Sequence, residues 1–335
     1  MATDIKHPPI SRSGFAKVSH FLQKHGALTA LILIVIAASI RYDSFLTQMN
    51  ILNVLRQNSM LGIVAIGMTL VILTGGIDLS VGSLLALGGI VSAYFSQYGL
   101  VAALLVPLVI TGALGFVNGY FITKGKIDPF IVTLATMIGI RGLVYAVTNQ
   151  HSLTVDSSIH EIYKFFGRGS FFGVPTPIWI FVLLAAVAAW MLKQTGFGRH
   201  IYSVGGNEEA SKLMGLKVDR IKIWVYVING ALSGLAGVVL ASRLGGVAQA
   251  VAGNTWELDA IAAVVIGGTI LTGGKGNISG TFYGVMLLGV ILNIINLEGD
   301  INSWWQPVIR GVFLIVIVIL QSRLLTRKNS RRLST

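Results

Sequence analysis

Long apolar runs alternate with short polar breaks along almost the whole chain. A helix that crosses a bilayer needs about 20 mostly apolar residues. Ten such runs can be placed, near 25–41, 58–75, 81–97, 98–123, 128–148, 176–193, 221–242, 258–273, 278–297 and 305–322. Most are apolar on every side, with Gly and Ala scattered through them, as suits helices packed on one another in a membrane. The short alternating segments of a membrane barrel are missing. The expected fold is an all-α polytopic membrane protein of about ten transmembrane helices. The first run follows 24 polar, basic residues with no small-residue cleavage site, and is read as an uncleaved helix.

Composition narrows the class. Of 335 residues, 54% are hydrophobic and only 11% charged, against about 25% charged in ordinary soluble domains. A soluble enzyme and a disordered chain are both excluded. There is no Cys, so disulfides, thiolate metal sites and Cys nucleophiles drop out. The six His lie at run ends or in loops, a poor basis for a buried metal site.

The net charge of +12 is explained by placement. With both termini cytoplasmic and the runs alternating, 18 of the 25 Lys and Arg fall on the inner side. Positive residues favour that side, so the charge reports topology and implies no nucleic acid. The expected organisation is a cytoplasmic tail (1–24), a transmembrane unit (25–322) containing an inner loop (194–220), and a basic cytoplasmic tail (323–335).

Two loops are long. The outer one, 149–175, ends in Gly173-Val174-Pro175-Thr176-Pro177, where Thr176 is expected to cap a helix with Pro177 at its first position. It either meets an extracytoplasmic partner or merely connects. The inner loop contains a short helix signature. Asn207 is a suitable N-cap, Glu208 and Glu209 suit the positive first turn, and Gly215 can end the helix left-handed. Ala210, Leu213 and Met214 share one apolar face. A helix this short is marginal alone; it docks either on this chain or in a groove of a cytoplasmic partner.

Acids near a membrane are costly and often functional. Asp78, Asp128, Glu257 and Asp259 stand at run ends, either as helix caps or lining a pathway. Asn118, Thr133, Thr136 and Asn229 lie within runs, bonding helix to helix or facing a polar substrate. Arg141 lies about thirteen residues into the fifth run, and either snorkels outward or pairs with an acid. Aligning Asp78 with Glu257 (and Ser80 with Asp259) carries runs three to five onto eight to ten, in opposite directions. That is the arrangement of an inverted repeat, a transporter device. The segment Ile72-Leu73-Thr74-Gly75-Gly76 also recurs at Ile270-Leu271-Thr272-Gly273-Gly274, which pairs runs of the same direction and is read as a product of composition. No phosphate-binding loop, nucleophile elbow or HExxH occurs, so any ATP that drives transport is hydrolysed elsewhere. A proton- or sodium-coupled carrier is the alternative, but it wants titratable groups deep within runs.

Several stretches resemble one family. They are Gly67 through Ser83, with Thr74-Gly75-Gly76-Ile77-Asp78-Leu79-Ser80 at its centre; Gly198-Arg199 followed by Tyr202-Ser203-Val204-Gly205-Gly206-Asn207-Glu208 and Gly215; Glu257-Leu258-Asp259 through Thr269; and Gly173 through Pro177. Together they are similar to ribose/xylose-type monosaccharide ABC transporter permeases, over about 25–322. The resemblance implies a permease dimer that forms the path for a monosaccharide through the inner membrane. A periplasmic sugar-binding protein would deliver the ligand, and a separate ATPase pair would bind the ATP, leaving this chain without a cofactor. The ATPase would dock on the helix between Gly205 and Gly215, engaging Gly206, Asn207, Glu208, Glu209, Ala210 and Leu213. Candidate pathway residues are Asp78, Ser80, Asn118, Arg141, Asn229, Glu257 and Asp259. Trp304-Trp305-Gln306 resembles a hexofuranose-type branch, although such rings also serve as interface anchors.

Overall fold

The computed structural model describes residues 26–299 together with 305, 308, 311, 312 and 315. Among the described residues there are twelve α-helices: α1 (Gly26–Arg41), α2 (Gln48–Leu73), α3 (Val81–Phe95), α4 (Leu100–Thr123), α5 (Pro129–Thr148), α6 (His160–Arg168), α7 (Thr176–Gln194), α8 (Gly196–Gly206), α9 (Glu208–Leu213), α10 (Val218–Arg243), α11 (Trp256–Ile266) and α12 (Ile278–Glu298). Four two-residue strands, β1 (Leu153–Thr154), β2 (Ser170–Phe171), β3 (Val174–Pro175) and β4 (Val247–Ala248), form two small antiparallel pairs.

Six helices (α2, α4, α5, α7, α10 and α12) are long and apolar enough to cross a membrane, and α1 is a shorter apolar helix. α10 lies at the centre, against α2, α3 and α4. Small residues permit that closeness. A Cβ on Gly115 or Gly119 of α4 would run into the α10 backbone at Tyr226 or Ile223, and Gly88 of α3 faces Gly234. α2 is enclosed, with every residue from Asn58 to Leu73 buried. α4, α5 and α7 instead present exposed large apolar side chains, among them Val101, Val109, Ile138, Leu183 and Trp190, which are stable only against lipid or another apolar surface.

Local chemistry sets the helix ends. Asp128 accepts from Phe130 N at 2.8 Å, with Pro129 in the first turn of α5. Asn277 accepts from Gly280 N at 2.7 Å to start α12. These are ordinary side-chain caps of otherwise unpaired amides.

The structure corrects four expectations. The second run begins ten residues early, at Gln48. Of its polar first turns, Asn50 is held by α12, where it and Asn293 exchange hydrogen bonds of 3.0 and 2.7 Å. The eighth run is not a full span. α11 ends at Ile266, because Gly268, Gly273, Gly274 and Gly276 carry φ values of +90°, +86°, +72° and +157° and turn the chain. The apolar Ile270 and Leu271 that lengthened the run belong to this turn. Thr176 does not cap α7: Pro175 holds the cap position and Thr176 Oγ1 is buried without a partner. The two long loops also hold unexpected helices, α6 and α8. The tenth run, Trp304-Trp305-Gln306 and both tails lie wholly or mostly outside the described residues.

Candidate functional site

Two groups of expected residues are assembled by the fold. The first is the turn α8–α9. Asn207 caps α9 through Oδ1, accepting from Ala210 N at 2.9 Å. Gly215 follows with φ +82°, as a left-handed C-terminal residue should. Glu208 receives Lys212 at 2.6 Å and also Lys222 of α10. Burial alone would raise the Glu208 carboxyl, but the bonds from these two lysines outweigh it and hold it below the usual range. Ser211 is buried and bonds Ser203 of α8 at 3.0 Å. α9 is therefore fastened on its inner side. Outward it presents Leu213, 89% exposed, and Met214, 68% exposed; Gly206 and Glu209 are exposed too, with Ala210 half-buried.

Gly205 faces the other way. A Cβ there would overlap the carbonyl of Leu73, the last residue of α2, and approach Gly274 N. The same Leu73 carbonyl accepts from Gly274 N at 3.0 Å. Gly205 is thus a packing contact with the chain itself, and it joins three elements: α8, the end of α2 and the turn before α12. The repeated segments at 72–76 and 270–274 meet here, with Gly273 against the backbone of Gly75 and Gly205. The repeat is therefore a contact between its two copies and not only a product of composition, and the stretch from Tyr202 to Glu208 marks the same junction. Ser211 and Lys222 left no such signal.

The second group is a buried polar chain beyond α2. Asp78 Oδ1 accepts from Ser80 N at 2.9 Å and Ser80 Oγ at 2.5 Å, while Oδ2 accepts from Asn229 Nδ2 of α10 at 2.8 Å. Asn118 of α4 donates to Ser80 Oγ at 3.1 Å and accepts from Thr136 of α5 at 2.6 Å. Asp78, Ser80, Asn118 and Asn229 are all fully buried. Asn229 Oδ1 is buried with no partner, directly over Gly67, where any side chain would collide with it. Asp78 is not an ordinary cap, since Ser80 holds the cap position of α3. Thr133 bonds within its own helix at 2.8 Å and reaches Ile77 O at 3.5 Å.

Arg141 does not snorkel; its charge is felt by Glu257 of α11, although the two make no direct ion pair. Its guanidinium donates to the carbonyls of Ala250 at 3.1 Å and Ala252 at 2.7 Å, in the irregular segment that leads from β4 to α11. That segment carries Gly253, whose carbonyl lies against Gly82 in the first turn of α3 beside the Glu257 carboxylate. The starts of the two short helices, α3 and α11, therefore meet. Glu257 and Asp259 are both in the first turn of α11, and Asp259 is buried. Among the described residues no group of His, Asp and Glu is set to hold a metal ion.

Residues 50–318 match the family described as "Branched-chain amino acid transport system / permease component". The chain is 42% identical over 315 residues to the ribose import permease protein RbsC of Haemophilus influenzae, covering 93% of this chain and 97% of that one. It is 46% identical over 305 residues to RbsC of Bacillus subtilis, covering 90% and 94%. With the L-arabinose ABC transporter permease protein AraH of Azospirillum brasilense it shares 34% over 329 residues, covering 97% and 93%. No solved structure matches the chain. With its exposed short helix tied through Gly205 to a bundle of apolar helices, and with these matches along nearly its whole length, the chain belongs to this permease family and is a multi-pass protein of the bacterial inner membrane.

Proposed function

We propose that this chain is the membrane-spanning subunit of an ABC importer for a monosaccharide, a ribose-like pentose or a related sugar. The similarity to ribose import permeases over at least 90% of the chain supports the substrate class. Two permeases, identical or paralogous, enclose the path. A cytoplasmic ATPase pair docks on α9 and binds the ATP. A periplasmic sugar-binding protein meets the opposite face, near α6 and the β2–β3 hairpin. The transmembrane unit spans 25–322 in about ten crossings, its basic tails (1–24 and 323–335) and the coupling loop (194–220) being cytoplasmic.

The seat of Gly205 on Leu73 is the observation that carries the coupling. An ATPase gripping Leu213 and Met214 moves α9. The Ser203–Ser211 bond and the Lys222 contact pass that movement to α8 and α10, and Gly205 passes it to the end of α2. The half-helices α3 and α11 begin beside one another from opposite connections, an arrangement suited to an inverted repeat whose broken helices meet at mid-depth. Asp78, Ser80, Asn118, Arg141, Asn229, Glu257 and Asp259 surround that meeting point. They either line the path or hold the elements that do.

The test is uptake of labelled pentoses and hexoses in cells lacking this chain, with and without its restoration. Restored uptake of one sugar that requires an intact ATPase subunit supports the proposal and names the sugar. Uptake that persists without the ATPase and collapses with the proton gradient would replace it with a coupled carrier.

A further inference from the structure

At the start of α10 the surface carries a hollow of about 410 Å³, bordered by His200, Lys217, Arg220 and Trp224. A second hollow of about 290 Å³ shares Arg220 and Trp224 with it, and is walled by Phe116, Ile223 and Val227. The two form one groove that is cationic at its mouth and apolar beyond. Two acids on the adjoining helices are engaged elsewhere: Asp219 holds Lys124 at 2.6 Å, and Glu208 holds Lys212 and Lys222. Among the described residues His200, Lys217 and Arg220 are paired with no acid. Trp224 is 59% exposed, the placement of an interfacial anchor.

We propose that this groove binds one anionic phospholipid of the cytoplasmic leaflet, its phosphate between Lys217 and Arg220 and an acyl chain along Trp224 and Phe116. From Lys217 to Val227 the helix rises about 15 Å, which takes the groove from headgroup level into hydrocarbon. A soluble subunit cannot follow it there, whereas an acyl chain can. Basic hollows beside helices on this side of a membrane suit anionic headgroups. Gly215 and Leu216, which connect α9 to α10, border the same mouth, so the lipid stands beside the coupling helix. The site rests on the inward orientation of α9 proposed above.

The experiment uses the assembled transporter in phosphatidylcholine nanodiscs with a trace of phosphatidylglycerol carrying a photoreactive acyl chain. Labelling is expected at Phe116 and between Ile223 and Val227. Occupancy should weaken about 30-fold in the variant K217Q/R220Q, at about fivefold per cation lost, and should persist in K217R. Equal labelling by a phosphatidylcholine probe, or labelling unchanged in K217Q/R220Q, would overturn the site. So would protection by the ATPase or by a second permease, which would make the groove their surface. The chain has no Cys, so K217C offers a unique thiol. Reaction with an impermeant maleimide from outside intact cells would refute the orientation itself, separately from the lipid.

Discussion

Gly205 rests on the carbonyl oxygen of Leu73, with no room between them for a methyl group. That carbonyl is already bonded to Gly274 N. A side chain at 205 must therefore part α8 from the end of α2 or break the bond to Gly274. Such overpacking typically costs about 1–3 kcal/mol, and here it falls on the junction that transmits force. G205V is expected to insert in the membrane yet lose transport, with a lowered thermal midpoint in detergent. Wild-type transport by this variant would remove Gly205 from the coupling route.

The outward side of α9 separates docking from folding. Leu213 and Met214 are strongly exposed, so L213S/M214S should leave the unfolding free energy within about 0.5 kcal/mol of wild type, the usual range for surface changes. Co-purification of the ATPase subunit should fall by at least tenfold. Unaltered co-purification would place the ATPase on another surface.

Much of this was legible in the residues. Asn207, Glu208 and Gly215 announced a short capped helix, because caps and left-handed glycines are local devices. The fold agrees to within a residue. Asp128 followed by Pro129 was equally plain. What escaped were features fixed by partners remote in sequence. The eighth run looked long because hydropathy counts Ile270 and Leu271 regardless of the glycine turn that contains them. Arg141 offered no partner on paper because its acceptors are main-chain carbonyls more than a hundred residues away. Asp78 resembled a cap because its link to Asn229 spans 151 residues.

That link yields a third prediction. N229L removes a donor from one oxygen of a carboxylate that is fully buried. Leaving a buried polar group short of a partner costs about 1–3 kcal/mol. A double replacement, D78N/N229L, changes both members of the pair and should lose less than the sum of N229L and D78N. Unfolding of these three variants beside the wild type gives the coupling energy; additive losses would show that the two side chains do not act together.

Glu208 supplies a pH test. Its carboxyl is held below the usual range by Lys212 and Lys222. A depressed carboxylate contributes stability above its unfolded value, about 4.3, and loses it as pH falls through the lower folded value. The anchoring of α9 should therefore be unchanged from about pH 6 to 8, and weaken only below about pH 4. Hydrogen exchange of residues 208–213 reads this directly. Weakening already near pH 6 would show that the Glu208 carboxylate is not what anchors α9.

Arg141 ties α5 to the segment before α11 by two hydrogen bonds from a charged donor, each worth about 1.5–3 kcal/mol at such sites. R141M keeps much of the apolar stem and removes both. The segment from Ala250 to Gly253 should then exchange its amide hydrogens faster, and the contact of Gly253 with Gly82 should loosen with it. R141K, with a single ammonium, can reach one carbonyl but not fork across two, so its exchange should fall between the other two forms. If all three exchange alike at 250–253, that segment is held by its other contacts, and Arg141 has no part in placing the start of α11 beside α3.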